Sequence, residues 1–519
     1  MTVARMFVFL IALAFPVLMA AQSPRVAALP AELDAYIMKA LADWELPGLA
    51  VAVVRNDSVL FAKGYGIREV GKADRVDEHT VFDAASITKS FTATATGILV
   101  DEGRMRWDEP VRTYVPEIVF PDPYLTANVT IRDLLSHRTG LQAANFMWRF
   151  TGYDRAEVLR RVRALRAEMP FRSGMVYSNT GYMIAGEAAA RAAKSDWSTM
   201  IRQRLLEPLG MKDTFLWSER DTPIASRANL AVSHIIVDGV QRPIDNRDGA
   251  VGKDGRNTIE AAGAVQSSVW DLTKWMRFHL ANGMYDGRRL VSEAAMEEMH
   301  SPQITVPAPA AFRAARQVEF FASYGLGFQV WDYRGRVMLW HSGSGNGQFA
   351  YMALLPKEKL GVVVLINSWR APILHGALAS RVLDHYLGLA TRDYSGDALR
   401  SDSSARIRGH DAWHRFMATR DTAHSQPKRP ASAYAGVFED SLHGPVTIAP
   451  SGKFLTLQMA GGEIADLTPW NGDSLFVTWR HPVYRNDYST LAVFSGDDTG
   501  KPQRLTMRLN RDVVVASRR

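Results

Sequence analysis

The sequence predicts two folding units. The first is an α/β sandwich, an antiparallel sheet flanked by helices and carrying an inserted helical lobe; the second is a small all-β barrel. Three observations carry this expectation. A helix and a strand hairpin open the chain, yet further strands and a closing helix return only after Gly325. The long stretch between them is mostly helical in pattern, which makes it an insertion into a sheet protein. From Tyr434 onward, short alternating segments are separated by turn pairs such as Ser451-Gly452, Asn471-Gly472 and Thr499-Gly500, the spacing of a small antiparallel barrel.

Taken in order, Leu29–Trp44 sets Leu33, Tyr36, Ile37, Ala40 and Leu41 on one side of a helix. Gly48–Val54 and Val59–Gly66 read as strands turned at Asn56-Asp57. Ser86–Gly103 is apolar nearly all round, through Ile87, Phe91, Ala95, Ile98 and Leu99, so it reads as a buried helix. Ile131–Ser136, Arg155–Arg166 and Thr180–Ala193 follow as helices of the lobe. Strands are expected at Gly325–Asp332, Val337–Trp340, Gln348–Leu355 and Gly361–Asn367, and a helix at Ile373–Leu387. The first unit then spans 29–390. Residues 391–433 are rich in Arg, Asp, Ser, His and Lys with Pro427 and Pro430, and read as a linker with one short helix around Ala412–Met417. The barrel occupies 434–519, with strands at Pro445–Ile448, Phe454–Met459, Ser474–Trp479, Thr490–Phe494, Gln503–Leu509 and Val513–Ser517. Trp470 and Trp479 are expected in its core.

Composition bounds the chemistry. The 519 residues are 47% hydrophobic and 10% aromatic, which supports a packed core and excludes a disordered chain. Zero Cys excludes disulfides, thiolate metal sites and a cysteine nucleophile. The net charge of +7 is not concentrated in any Lys/Arg run, so a solvated surface is expected rather than nucleic-acid binding. Residues 1–21 have a charged start at Arg5, an apolar centre from Phe7 to Ala20 and small residues at Ala20-Ala21: a secretory signal. That run is short of the ~20 apolar residues needed to span a bilayer, so a periplasmic or secreted protein without lasting membrane insertion is expected.

Neither a His-Glu-x-x-His zinc helix, a Gly-x-Ser-x-Gly elbow nor a P-loop is present, and nothing asks for a metal or other cofactor. The Gly343–Gly347 stretch lacks the P-loop lysine and reads as a turn. What is present is Ser86-Ile87-Thr88-Lys89. On a helix, positions i and i+3 share a face, so Lys89 can reach the Ser86 hydroxyl, and burial would make its amine a base near neutral pH. The spacing alone is weak: Ser425-Gln426-Pro427-Lys428 repeats it across a proline. Tyr177-Ser178-Asn179 offers a phenol for proton transfer and an amide for the lysine or a substrate; Tyr484-Arg485-Asn486 is its decoy. His341-Ser342-Gly343 follows a strand, with Lys253-Asp254-Gly255 and Lys359-Leu360-Gly361 as comparable triplets.

Order and context single out the first copies. Ser-x-x-Lys, Tyr-x-Asn and Lys/His-x-Gly occur in the order of the penicillin-recognising serine hydrolases, and the sequence resembles their class C β-lactamase and D-alanyl-D-alanine carboxypeptidase branch. Thr130–His137, Gly181-Tyr182, Ala261-Ala262-Gly263 and Tyr324–Gly327 add to the likeness, which covers Leu29 to Leu389. The resemblance implies a β-lactamase-like sandwich, Ser86 as the nucleophile of an acyl-enzyme, and Lys89 with Tyr177 as its proton shuttle. It implies an oxyanion hole from the backbone N–H groups of Ser86 and Ser344, just after Gly343, with Asn179 and His341 lining the substrate channel. The triplet departs from the family's usual lysine. His341 is largely neutral at pH 7, which weakens selection for a substrate carboxylate and fits the family's D-aminopeptidase and esterase branches. Tyr434-Ala435-Gly436, Leu467–Trp470 and Leu475–Arg480 resemble a lipocalin-like module attached to such peptidases. The expectation is an exported serine peptidase or amidohydrolase acting on small peptides or amides, including D-amino-acid peptides. A carboxylesterase and a β-lactamase are the alternatives on the same site, and a non-catalytic binding protein is the remote one. The barrel either caps the cleft or forms a homo-oligomer contact.

Overall fold

A computed structural model describes residues 30–220, 229–244, 257–307, 320–420, 425–452, 454–485, 489–496 and 500–519. The expected signal at 1–21 lies outside them, as do Lys253-Asp254-Gly255 and Asn486. Among the described residues no helix is long and apolar enough to cross a membrane.

The first unit is built on an eight-stranded antiparallel sheet. Its order is Ile304–Thr305, Ala322–Tyr324, Gln329–Tyr333, Arg336–Gly345, Gln348–Leu355, Leu360–Ile366, Gly48–Arg55 and Ser58–Gly66. The first and last parts of this unit meet one strand in from an edge, where Leu49 pairs with Ile366 and Val53 with Val362. Side chains alternate across a strand, so the runs Gly48–Arg55 and Leu360–Ile366 are apolar throughout only because both faces are covered. Leu49, Val51, Val53, Val362 and Val364 join the layer under helices Ala31–Asp43 and Leu374–Tyr386. Ala50, Ala52, Val54, Val363 and Leu365 join the layer under Thr88–Asp101 and Val269–Leu280. The opening hairpin turns on Asn56 and Asp57, both in the left-handed region (φ 48° and 64°), as two-residue turns require.

The helical lobe lies on that second face. In it, Thr130 caps the helix Ile131–Leu135 in a reciprocal capping box with Asp133. Asp133 is fully buried and accepts from Arg138 at 2.6 Å and Arg172 at 2.8 Å. Burial alone would push its carboxyl up, but Arg172, the Thr130 amide and Arg138 together hold it below the usual range. Asp133→Ala strands two arginines and removes the side-chain half of the capping box, with an expected loss of about 3 kcal/mol in urea-unfolding stability. An unchanged midpoint would contradict it.

The second unit is a closed barrel of eight strands: Gly436–Asp440, Gly444–Pro450, Leu455–Gln458, Ile464–Asn471, Ser474–Trp479, Thr490–Ser495, Arg504–Leu509 and Asp512–Arg518. Trp479 is buried in its core, whereas Trp470 is buried outside that cluster, against Phe416. Most of the stretch read as a linker is instead one 25-residue helix, Tyr394–Ala418. It is polar along most of its length, which hid it from a periodicity reading, and it is fixed at both ends. Tyr394 donates to the buried Asp384 at 2.5 Å, and Phe416 stacks on Trp470 with ring centroids 4.9 Å apart.

The two units share apolar surface. Phe146 and Phe150 of the lobe and Ile235 belong to the barrel's own core cluster, and Phe150 lies 4.7 Å from Trp479 and 4.6 Å from Tyr484 between ring centroids. The Asp512 carboxylate accepts from the Phe146 amide at 2.8 Å, and Gly461 donates to the Phe150 carbonyl at 2.9 Å.

Candidate active site

Ser86 sits in a tight 3-10 turn, Ala85–Ile87, between the strand Val81–Asp83 and the helix Thr88–Asp101. Ala85 adopts a positive φ of 44°, and its amide is held by the Asp83 carboxylate at 2.8 Å. From Thr80 to Leu99 every residue is buried except Ser86, so the turn exposes that one hydroxyl.

Lys89 is fully buried one turn on. Its Nζ lies 3.0 Å from Ser86 Oγ, 2.8 Å from Asn179 Oδ1 and 3.0 Å from the Ala262 carbonyl oxygen. Asn179 Nδ2 donates to Asn145 Oδ1 at 3.2 Å, which turns Oδ1 toward the lysine. Burial drives the ammonium well below its ordinary pKa. A neutral amine has two N–H bonds and one lone pair. Its two pure acceptors are Asn179 Oδ1 and the Ala262 carbonyl, so the lone pair is left facing the Ser86 hydroxyl.

Tyr177 and Asn179 straddle a helix start. Ser178 is the N-cap of Asn179–Ala193, its Oγ accepting from the Gly181 amide at 3.0 Å. This leaves Tyr177 outside the helix and Asn179 in its first turn. Burial raises the Tyr177 phenol above its ordinary pKa, with a hydrogen bond to Ser86 opposing part of the rise, so it is protonated at neutral pH. Its ring lies 4.8 Å from Lys89 Nζ and 4.3 Å from the His137 ring. His137 Nδ1 in turn accepts from the Ser178 amide at 3.1 Å.

The third element comes from the sheet. The Gly343–Gly347 stretch is not all turn: the strand Arg336–Gly345 runs through it, and only Asn346-Gly347 turns. Leu339, His341, Gly343 and Gly345 share the face toward the lobe. Past Trp340 this edge is free of the neighbouring strand Gln329–Tyr333, and the Ser86 turn closes on it. A Cβ on Gly343 would stand 2.3 Å from the Ala84 carbonyl oxygen, so only glycine admits the turn. Gly345 and Gln348 close a two-residue hairpin. In such a hairpin the closing pair is hydrogen-bonded, so the amide of the preceding Ser344 points away from the partner strand.

His341 is placed differently from the expectation that it lines the channel. It is only 3% exposed; its Nδ1 lies 2.7 Å from the Ser342 carbonyl and its Nε2 is 3.0 Å from the Tyr324 hydroxyl. Burial and Lys89 bring its pKa down to about 3, against the Ser342 contact. It offers a substrate neither charge nor a free ring nitrogen.

Ser86, Lys89, Tyr177, Asn179, Gly343 and Ser344 therefore converge, and the decoys stay apart from them: Lys428 and Tyr484 lie at the barrel. Sequence reasoning did not single out Asn145, Asp512 or the Ala262 carbonyl. Ala261-Ala262-Gly263 was noticed only as a likeness, and its work is to supply carbonyl acceptors to Lys89 and to Thr92, the latter at 2.7 Å. No local pattern marks Asn145.

A nucleophile, a buried amine and a phenol gathered at one turn define a serine hydrolase, and the comparisons agree. The chain belongs to the Beta-lactamase family, whose profile matches residues 33–386. Residues 420–516 match a domain of unknown function, DUF3471. Among characterised relatives, the Unguisins hydrolase of Aspergillus violaceofuscus is 27% identical over 442 residues, 80% of this chain and 76% of that one. Penicillin-binding protein 4 of Amycolatopsis lactamdurans is 27% identical over 350 residues, 66% of this chain and 87% of that one. The octameric penicillin-binding protein homologue from Pyrococcus abyssi superposes with a TM-score of 0.61 at 22% identity, covering 93% of this chain and 99% of that one. A class C beta-lactamase gives a TM-score of 0.54 at 20% identity over 68% of this chain and 94% of its own, a likeness of fold.

Proposed function

We propose that this is an exported serine hydrolase that cleaves small peptides or amides, those with D-residues included, through an acyl-enzyme on Ser86. The observation that carries the reading is the Lys89 amine: fully buried, with two fixed acceptors and its remaining contact on Ser86 Oγ. Lys89 takes the Ser86 proton as Oγ bonds to the substrate carbonyl carbon. The resulting oxyanion is held by the Ser86 and Ser344 backbone N–H groups, each of the kind whose loss costs ~10²–10³ in rate. When the tetrahedral state collapses, the C–N bond breaks, Tyr177 gives its proton to the leaving nitrogen, and Lys89 restores it. Water then repeats the sequence in reverse to free Ser86. The charge-free His341 fits substrates with no terminal carboxylate at the triplet. Export rests on the signal-like residues 1–21.

A fluorophosphonate probe is expected to label Ser86, with the label lost in Ser86→Ala. A panel of D-peptides, L-peptides, esters and nitrocefin, with Ser86→Ala as blank, is expected to show the fastest turnover on peptide amides. Unlabelled Ser86 would return the chain to a binding role; turnover of esters or nitrocefin alone would replace the peptidase reading.

A further inference from the structure

The barrel reaches the active site. The two-residue turn Asn510-Arg511 joins its last two strands, with Leu509 paired to Asp512. Together with Asn145, Trp148, Arg149 and Asn179, this turn lines a cleft of about 170 Å³. The same Asn179 holds the Lys89 amine at 2.8 Å, so one side chain separates the cleft from the catalytic pair. The turn's position is fixed rather than incidental. Asp512 is buried and its carboxylate accepts from the Phe146 amide at 2.8 Å and from the Asn145 amide. Asn145 Oδ1 in turn receives Asn179 Nδ2 at 3.2 Å. A relay through Asp512, Asn145 and Asn179 therefore links the barrel turn to the catalytic amine, and Arg511 precedes Asp512 in that turn.

The charges in this cleft are lopsided. Arg511 is exposed and Arg149 partly so. The one carboxylate, Asp512, is already committed to backbone amides, and the Lys89 amine stands behind Asn179. At the triplet, by contrast, His341 carries no charge to meet an anion. A guanidinium presents a planar fork of donors that matches a carboxylate. A volume of about 170 Å³ is the share of five or six waters, room for a carboxyl group on a short stem.

We propose that Arg511, delivered by the barrel, is a specificity-determining residue: it binds a carboxylate carried by the part of the substrate that runs past Asn179. The inference rests on the hydrolase reading above and deepens it by naming the substrate as acidic, with its acid read at the barrel turn instead of at the triplet.

Two substrate pairs test it. The mono-p-nitrophenyl ester of glutaric acid against p-nitrophenyl butyrate puts the acid on the acyl half. A peptide with a free C-terminal carboxylate against its C-terminal amide puts it on the leaving half. The acid-to-neutral ratio of kcat/KM is expected to exceed about ten in one of the pairs. It should fall toward one in Arg511→Ala and below one in Arg511→Glu. Arg508→Ala, an exposed charge on the same hairpin outside the cleft, should leave the ratio unmoved. Turnover in which no acid preference depends on Arg511 overturns this inference and spares the hydrolase reading. No turnover at all, with Ser86 unlabelled by fluorophosphonate, overturns both.

Discussion

Lys89→Arg is expected to silence the enzyme at every accessible pH, with kcat/KM down by about 10³–10⁴, the upper range for loss of a general base. The substitution keeps a cation and a long stem, so a lysine that served only as a positive charge would survive it. A guanidinium does not deprotonate in proteins and therefore has no lone pair to take the Ser86 proton. The acid limb of the native kcat/KM is expected to level off well below pH 10.5, because burial lowers the Lys89 pKa. A variant with more than a tenth of native activity would refute the assignment of Lys89 as base. The same burial leaves a mark on stability. Between the depressed folded pKa and the ordinary value of ~10.4, the unfolded chain binds a proton at this residue that the folded one does not. Stability therefore rises with pH across that window, by up to about 1.4 kcal/mol per pH unit at full occupancy. The buried His137, His279, His300 and His341 are depressed in the same way, chiefly by burial. Their share is complete once the unfolded chain's histidines are neutral, by about pH 7.5. From pH 7.5 to 9.5 the urea midpoint of the native protein should climb more steeply than that of Lys89→Met. Parallel slopes would mean that the folded lysine is charged.

How much of this was legible in the chain depended on whether the controlling contacts were local. The hairpin at Asn56-Asp57 was legible because those residue types tolerate positive φ, and Ser86 with Lys89 because one turn brings i and i+3 together. Tyr177 and Asn179 were legible as types, while the Ser178 cap that orients them was not read. Of the helix Tyr394–Ala418 only the stretch Ala412–Met417 gave a signal, because the rest lacks a continuous apolar stripe. Its order comes from ion pairs such as Arg406–Asp402 four residues apart and from aromatic anchors at its ends. The barrel strands Gly436–Asp440 and Ile464–Asn471 escaped assignment: the first begins at a glycine, and Pro469 interrupts the second. For His341 the chain gave the residue type alone; only the fold shows Tyr324 and the Ser342 carbonyl closing on its ring. Asn145 and Asp512 lie far apart along the chain, and their contact is wholly tertiary.

That contact makes the second large effect predictable: the first unit will not work without the barrel. Phe150 has no exposed surface, and its neighbours Trp479 and Tyr484 come from the barrel. Phe150→Ala should cost about 3–5 kcal/mol, the usual range for a buried phenylalanine. Because the cavity lies at the junction, the loss should appear as an earlier transition of the barrel together with a fall in activity. Ending the chain at Ala433 goes further. It bares Phe146, Phe150 and Ile235 to water and removes the Asp512 carboxylate that holds the Asn145 and Phe146 amides. Asn145 then loses its anchor, Asn179 loses a fixed partner, and the Lys89 amine loses the acceptor that aims its lone pair at Ser86. The truncated protein is expected to aggregate or to bind a hydrophobic dye, and its soluble fraction to retain less than about one hundredth of native kcat/KM, since small displacements of a catalytic group can cost that much. Asp512→Ala separates the two causes: it keeps the apolar junction covered, so its effect should fall on kcat with little change in KM. A truncated chain that stays monomeric, binds no dye and turns over substrate at the native rate would show that the barrel is an independent appendage and that the hydrogen-bond line from Asp512 to Lys89 carries nothing.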